Sequence, residues 1–158
     1  MDNLLQALLA LTGEWSGTGT ATYPSIETRR YRETLRCQLD ETQTLIQYEQ
    51  KTWVVPSQKF LSWEFGFIRP TGTTTFDWIN AQNNGRTEVL KGVTNIERNV
   101  MTLTLNSSAF GNDPRMLGSK REIRLDFNEG TLTYTQFIAT QMYPTMRQHL
   151  TATLNKTR

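Results

Sequence analysis

A chain of 158 residues is long enough for one domain with a substantial core and too short for two. Seventeen basic residues against fifteen acidic ones leave a formal charge of +2, so no global field steers the protein to nucleic acid or to an anionic membrane. The lone Cys37 excludes an internal disulfide framework and a multi-cysteine zinc site, in keeping with a reducing compartment, and no apolar run approaches the roughly 20 residues of a membrane span.

The first predicted element is a leucine-rich helix of about two turns over residues 3–11. Asn3 and Gln6 have capping-box spacing, Asp2 favours the helix dipole, and Gly13 ends the segment. It lacks a basic leader and a cleavage site, so it reads as part of the fold, and the cytoplasm is the expected location. From Glu14 onward β-branched and aromatic residues predict strands near 14–23, 28–39, 43–54, 60–68, 74–82, 86–93, 100–106, 120–127, 131–140 and 148–156. Turn residues separate them at Pro24-Ser25, Asp40-Glu41, Pro56-Ser57, Pro70-Thr71-Gly72, Asn83-Asn84-Gly85 and Asn128-Glu129-Gly130. The stretch from Asn106 to Ser119 reads as one long loop, a lid or mobile segment.

About ten strands joined by tight turns form an antiparallel meander, and closing it into a barrel removes its exposed edges. The expected architecture is all-β: a single closed antiparallel up-and-down barrel over residues 1–158, with the short helix plugging one end. A barrel this wide has room for a ligand-sized cavity.

Two features bear on a ligand. In the first strand, period two places Trp15, Gly17, Gly19, Ala21 and Tyr23 on one face. Small residues in a row there mean either a sharp barrel corner or a ligand pressed against the backbone, and the sequence leaves both open. The second is His149, the only histidine, at the start of the last strand. Strict alternation sets it on the face opposite Leu150, Ala152 and Leu154, so it turns outward if those face the cavity, unless a bulge intervenes.

Gly13-x-Trp15-x-Gly17-x-Gly19 followed by Tyr23-Pro24-Ser25-Ile26 resembles the signature of the nitrobindin family, haem-binding barrels of the calycin type, similar in shape to fatty-acid-binding proteins. Tyr48-Glu49-Gln50-Lys51-Thr52-Trp53, Glu64-Phe65-Gly66-Phe67-Ile68-Arg69-Pro70, Ala81-Gln82-Asn83-Asn84-Gly85, and Ala139-Thr140-Gln141 leading to His149-Leu150 agree in order, over nearly the whole chain. Ala21 stands where the family often has a third glycine. The resemblance implies one haem b per chain, its iron held axially by His149 as the single metal ligand, a role that neutral imidazole commonly fills. It further implies nitric oxide binding or isomerisation of peroxynitrite to nitrate, so the protein is a possible peroxynitrite isomerase. Other cofactor-binding positions carried over are Leu61, Gln82 and Ile138 in the cavity and Lys120 near its mouth as a propionate partner, beside Trp15, Gly17 and Gly19 of the first strand. The expected partners are therefore small molecules, with a homodimer as the one possible protein assembly and neither nucleic acid nor membrane.

The remaining clusters read more simply. Arg30, Arg32 and Arg36 share one parity and form a solvated outer face, and no aromatic platform for RNA accompanies them. Trp53, Trp63 and Trp78 read as core or barrel girdle, and Glu64 as a buried acid or a structural partner. Ser-His-Asp hydrolysis lacks a nucleophile-elbow sequence. The alternative to a haem protein is an intracellular carrier of a fatty acid or another apolar small molecule, with His149 merely packed.

Overall fold

The computed structural model describes the backbone of residues 2–158 and the side chains from Leu4 onward. Helix α1 (Asp2–Leu8) runs into one 3-10 turn (Leu9–Leu11), which ends where the backbone N–H and side-chain hydroxyl of Thr12 both donate to the Leu9 carbonyl. The cap expected at Asn3 lies outside the described side chains. Leu4, Leu8 and Leu11 share one helical face and are all buried.

Ten strands follow: β1 (Gly13–Tyr23), β2 (Ile26–Leu39), β3 (Ile46–Val54), β4 (Phe60–Pro70), β5 (Thr75–Gln82), β6 (Thr87–Glu97), β7 (Val100–Gly111), β8 (Met116–Asp126), β9 (Thr131–Thr140) and β10 (Arg147–Lys156). Each pairs antiparallel with its neighbours in sequence, and β1 pairs with β10, which closes the sheet into the expected up-and-down barrel. Alternation drives the closure. In β8, Ser119, Arg121, Ile123 and Leu125 are buried while Glu122 and Arg124 face water. In β2, Tyr31, Glu33, Leu35 and Cys37 point inward and Arg30 and Arg36 outward, with Arg32 laid over the Trp53 ring at 4.1 Å.

Two expectations are corrected. The long loop from Asn106 to Ser119 does not exist: β7 runs to Gly111 and β8 starts at Met116, so only residues 112–115 connect them. Bulges at Val89/Leu90 and Met116/Gly118 break the alternation there, which hides the strand pattern. The third strand begins at Ile46 rather than 43, because the Asp40 carboxylate accepts the backbone N–H groups of Thr42, Thr44 and Leu45 and ties residues 40–45 into a turn.

The interior is layered along the barrel axis. At the closed end α1 lies over Trp15, whose Nε1 donates to the Leu11 carbonyl at 2.8 Å, above a dry core that includes Ile46, Ile68, Phe76, Met101, Leu103 and Leu154. The middle layer is polar. Arg121 grips the Glu64 carboxylate with both Nη atoms, at 2.8 and 3.0 Å, and reaches Glu88 at 2.8 Å. Tyr48 donates to Glu64 at 2.7 Å, Asn80 donates to Glu88 at 3.1 Å, and Trp78 closes the set through the Tyr48 hydroxyl. Burial opposes ionisation of Glu88, but Arg121, Ser119 and Asn80 outweigh it and hold its carboxyl below the usual range. Nearby, Tyr134 donates to Glu33, and burial pushes that carboxyl up to about 7. Little space is left: the cavity between Glu33, Tyr48, Arg121 and Tyr134 holds about 40 Å³. Room for a ligand begins above this layer.

Candidate functional site

Five of the ten strand pairs carry a bulge or register shift, at Ala21/Tyr23, Thr52/Trp53, Val89/Leu90, Met116/Gly118 and Gln148/Leu150, and all five lie at the open end. There the strands bend away from a strict ladder and the rim splays. The last of these places the histidine. Against β9, Gln148 pairs with Phe137 and Leu150 with Gln136, so His149 is the extra, unpaired residue. Leu150 keeps its inward place opposite Ala21, while the bulge brings His149 to the same mouth.

The imidazole is fixed in one orientation. Its Nδ1 lies 3.0 Å from the Thr22 carbonyl oxygen, which can only accept, so Nδ1 carries the proton and Nε2 keeps its lone pair. Among the described residues Nε2 has no hydrogen-bond partner. The Tyr23 ring meets the imidazole edge-on at 5.5 Å, with Tyr143 stacked edge-on behind it. Burial, with the nearby Arg86 charge, lowers the pKa of His149 against the opposing pull of the Thr22 carbonyl. The neutral ring is therefore the ground state at neutral pH, as metal ligation requires.

Two cavities of about 360 and 540 Å³ meet at this ring and share Ile26, Arg86 and His149 in their walls. Leu61, Gln82 and Leu150 line the inner one; Met116, Ile138 and Tyr143 line the outer one. Of the positions expected from sequence, His149, Leu61, Gln82 and Ile138 thus come together. The others do not. Trp15 belongs to the closed end, covered by α1. A Cβ on Gly17 would strike the Thr153 carbonyl of β10, and one on Gly19 the Tyr31 ring, so neighbouring strands and not a ligand set the need for small residues. Lys120 points outward and pairs with Glu122 at 3.0 Å, away from both cavities.

Sequence reasoning missed Arg86, read only as the first residue of the strand predicted over 86–93. Its Nε and Nη2 donate to Asp113 at 3.1 and 2.9 Å, and its Nη1 to Gln82 at 3.4 Å. Gln82 in turn donates to Asn80 at 3.1 Å, which steadies its amide at the cavity wall. Nothing in residue spacing joins Arg86 to Asp113 across two strands. Among the described residues no three His, Cys, Asp or Glu side chains converge on a common metal position, so this arrangement offers a metal one protein ligand. A metal already held in a flat organic ligand fits such a donor set, and the neutral, oriented imidazole beside an outer cavity walled in part by Met116, Ile138 and Tyr143 suits haem. No described helix is long and apolar enough to cross a membrane.

Comparison with known proteins agrees with this architecture. A peroxynitrite isomerase of Arabidopsis thaliana, Rv2717c by name, is 33% identical over 146 residues, covering 92% of this chain and 84% of its own. Peroxynitrite isomerase 1 of Mycobacterium tuberculosis is 28% identical over 160 residues, covering 98% of this chain and 95% of its own. The crystal structure of Rv2717c from M. tuberculosis superposes with a TM-score of 0.90 at 27% identity, over 98% of this chain and 97% of that one. An S-type phycobiliprotein lyase of Guillardia theta shares the fold alone, with a TM-score of 0.67 at 8% identity over 99% of this chain and 93% of the lyase. The model of the THAP4-like, heme-binding beta-barrel domain matches residues 4–156, and the chain belongs to that family.

Proposed function

We propose that this protein, as one domain of residues 1–158 in the cytoplasm, binds one haem b at the barrel mouth with His149 as its axial ligand, and isomerises peroxynitrite to nitrate or binds nitric oxide there. The observation that carries the reading is the bulged His149, its Nδ1–H spent on the Thr22 carbonyl and its Nε2 free beside two cavities. Family membership and the activity named for the relatives support it. When bound, haem would be held by His149 and would supply an iron centre able to take a small ligand.

The residues of the chain supply holding and exclusion. The Thr22 carbonyl fixes the tautomer and aims the imidazole, while burial and the nearby Arg86 charge keep it neutral. Leu61, Leu150 and Ile138 supply apolar surface beside a reactive guest, and the Gln82 amide, held by Asn80 and Arg86, offers an oriented polar group. Peroxynitrite and nitrate have the same atoms and the same charge, so the conversion has no net proton for a protein group to supply or take up. The one carboxylate lining either cavity among the described residues, Glu64, is already held by Arg121.

The filled lumen weighs against the carrier alternative, because an acyl chain running along the barrel axis would have to displace the polar layer. Haemin titration separates the two. The expected result is a Soret band saturating at one haemin per chain and lost in His149→Ala. Protein that stays colourless with haemin and retains an acyl ligand by mass spectrometry would establish the carrier. For assembly, the exposed Phe65, Phe67 and Ile79, with Phe67 paired to Ile79 across the outer face, support a homodimer on that face. Sedimentation giving a monomer at all concentrations would overturn it.

A further inference from the structure

The mouth is positively charged and holds donors that the fold does not use. Arg29 and Arg86 line the inner cavity, and Arg86 and Arg115 the outer one. Asp113, behind them, accepts from Arg86 and also from the backbone N–H of Arg115 at 3.2 Å and its Nε and Nη2 at 3.0 Å each. The Arg115 and Arg86 guanidiniums, against some burial, hold the Asp113 carboxyl well below the usual range. It stays ionised, and two guanidiniums on one carboxylate leave a positive charge over.

Arg86 is the member placed to use that charge. Its side chain is only 15% exposed, so an anion beside it meets a cation with little water to screen it. Of its five N–H groups, three are engaged, by Asp113 and Gln82. One N–H on Nη1 and one on Nη2 remain to donate to a carboxylate. With His149 and Ile26 it lines both cavities, so whatever bridges them passes Arg86.

We infer that Arg86, held in place by Asp113 and Gln82, anchors an ionised carboxylate at the edge of the ligand that His149 binds, with Arg115 as an outer second cation. The inference rests on the haem reading and names the ligand class more closely: a tetrapyrrole with free acid side chains, not an esterified one. It gives Arg86 the role expected of Lys120.

The test titrates haemin and haemin dimethyl ester, followed at the Soret band, into wild-type protein, Arg86→Gln, Arg86→Lys and the outward-facing control Lys120→Gln. Wild type and Lys120→Gln are expected to prefer the diacid by roughly ten- to a hundredfold, the scale of a hydrogen-bonded charge pair. Arg86→Gln loses that preference, its affinity for the ester staying near wild type. Arg86→Lys keeps the charge without the fork and retains part of the preference. Equal preference in Arg86→Gln and wild type overturns the anchor while leaving haem binding intact. Wild-type protein that gives no Soret band with either compound overturns both.

Discussion

The two ends of this barrel are built on opposite rules. At the closed end the strands keep register, side chains alternate, and a leucine-faced helix seals Trp15 and its neighbours into a dry core. At the open end every one of the five register shifts breaks that order, and donors and cations gather where an apolar core would otherwise stand. Between them the Glu64–Arg121–Glu88 cluster forms a polar floor. The difference teaches where stability and function sit: regular pairing supplies the first, and irregular pairing aims the residues that supply the second.

Substitutions along the axis sharpen that contrast. At the closed end, Trp15→Ala removes a side chain 2% exposed and is expected to cost about 3–5 kcal/mol in denaturant unfolding, leaving the Soret maximum of the folded haem-loaded protein unmoved. A moved maximum would mean that the two ends are coupled. One layer up, Arg121→Met leaves Glu64 and Glu88 buried without their cation and should cost about 3 kcal/mol at pH 7, the loss shrinking as acid protonates Glu88, whose carboxyl Arg121 helps hold below its usual range. A pH-independent loss would point to packing alone.

Glu33 gives the opposite sign. Its carboxyl is raised from 4.5 to about 7 by burial, so between those values the folded chain keeps a proton that the unfolded chain releases. The stability this gives is full below about 4.5 and disappears as pH rises through about 7. Glu33→Gln should therefore be more stable than wild type at pH 8 by about 1–3 kcal/mol, with the gap closing toward pH 4.5 in urea titrations. A variant that loses stability at pH 8 would contradict the burial argument. The smallest stability change belongs to the mouth, where His149→Ala is expected to shift unfolding by less than about 1 kcal/mol, because one ring–carbonyl hydrogen bond is lost at a half-buried position.

How much the sequence revealed follows the same axis. The alternation of Ser119, Arg121, Ile123 and Leu125, or of Tyr31, Glu33 and Leu35, needs no structure to read, and it carries strand count, antiparallel order and closure. Past the bulges the same reading fails. Parity turns His149 outward, and only the extra residue between Gln148 and Leu150 brings it back to the mouth. Asn106 to Ser119 reads as a loop because two shifts interrupt its pattern. The glycines of β1 signalled a close approach correctly, yet the approaching groups are Tyr31 and the carbonyls of β10. Leu61, Gln82 and Ile138 reached the site through family resemblance. Arg86 did not, since its partner Asp113 lies on the 112–115 connection, where no strand pattern ties the two together.

The central claim is that a single oriented imidazole at the mouth holds the ligand iron, and chemical rescue tests it most directly. His149→Gly leaves a gap the size of the ring, and haemin added to this variant should give a shifted, weakened Soret band that free imidazole restores to the wild-type position and intensity. A His149→Gly protein with the wild-type spectrum before any imidazole is added would contradict the account.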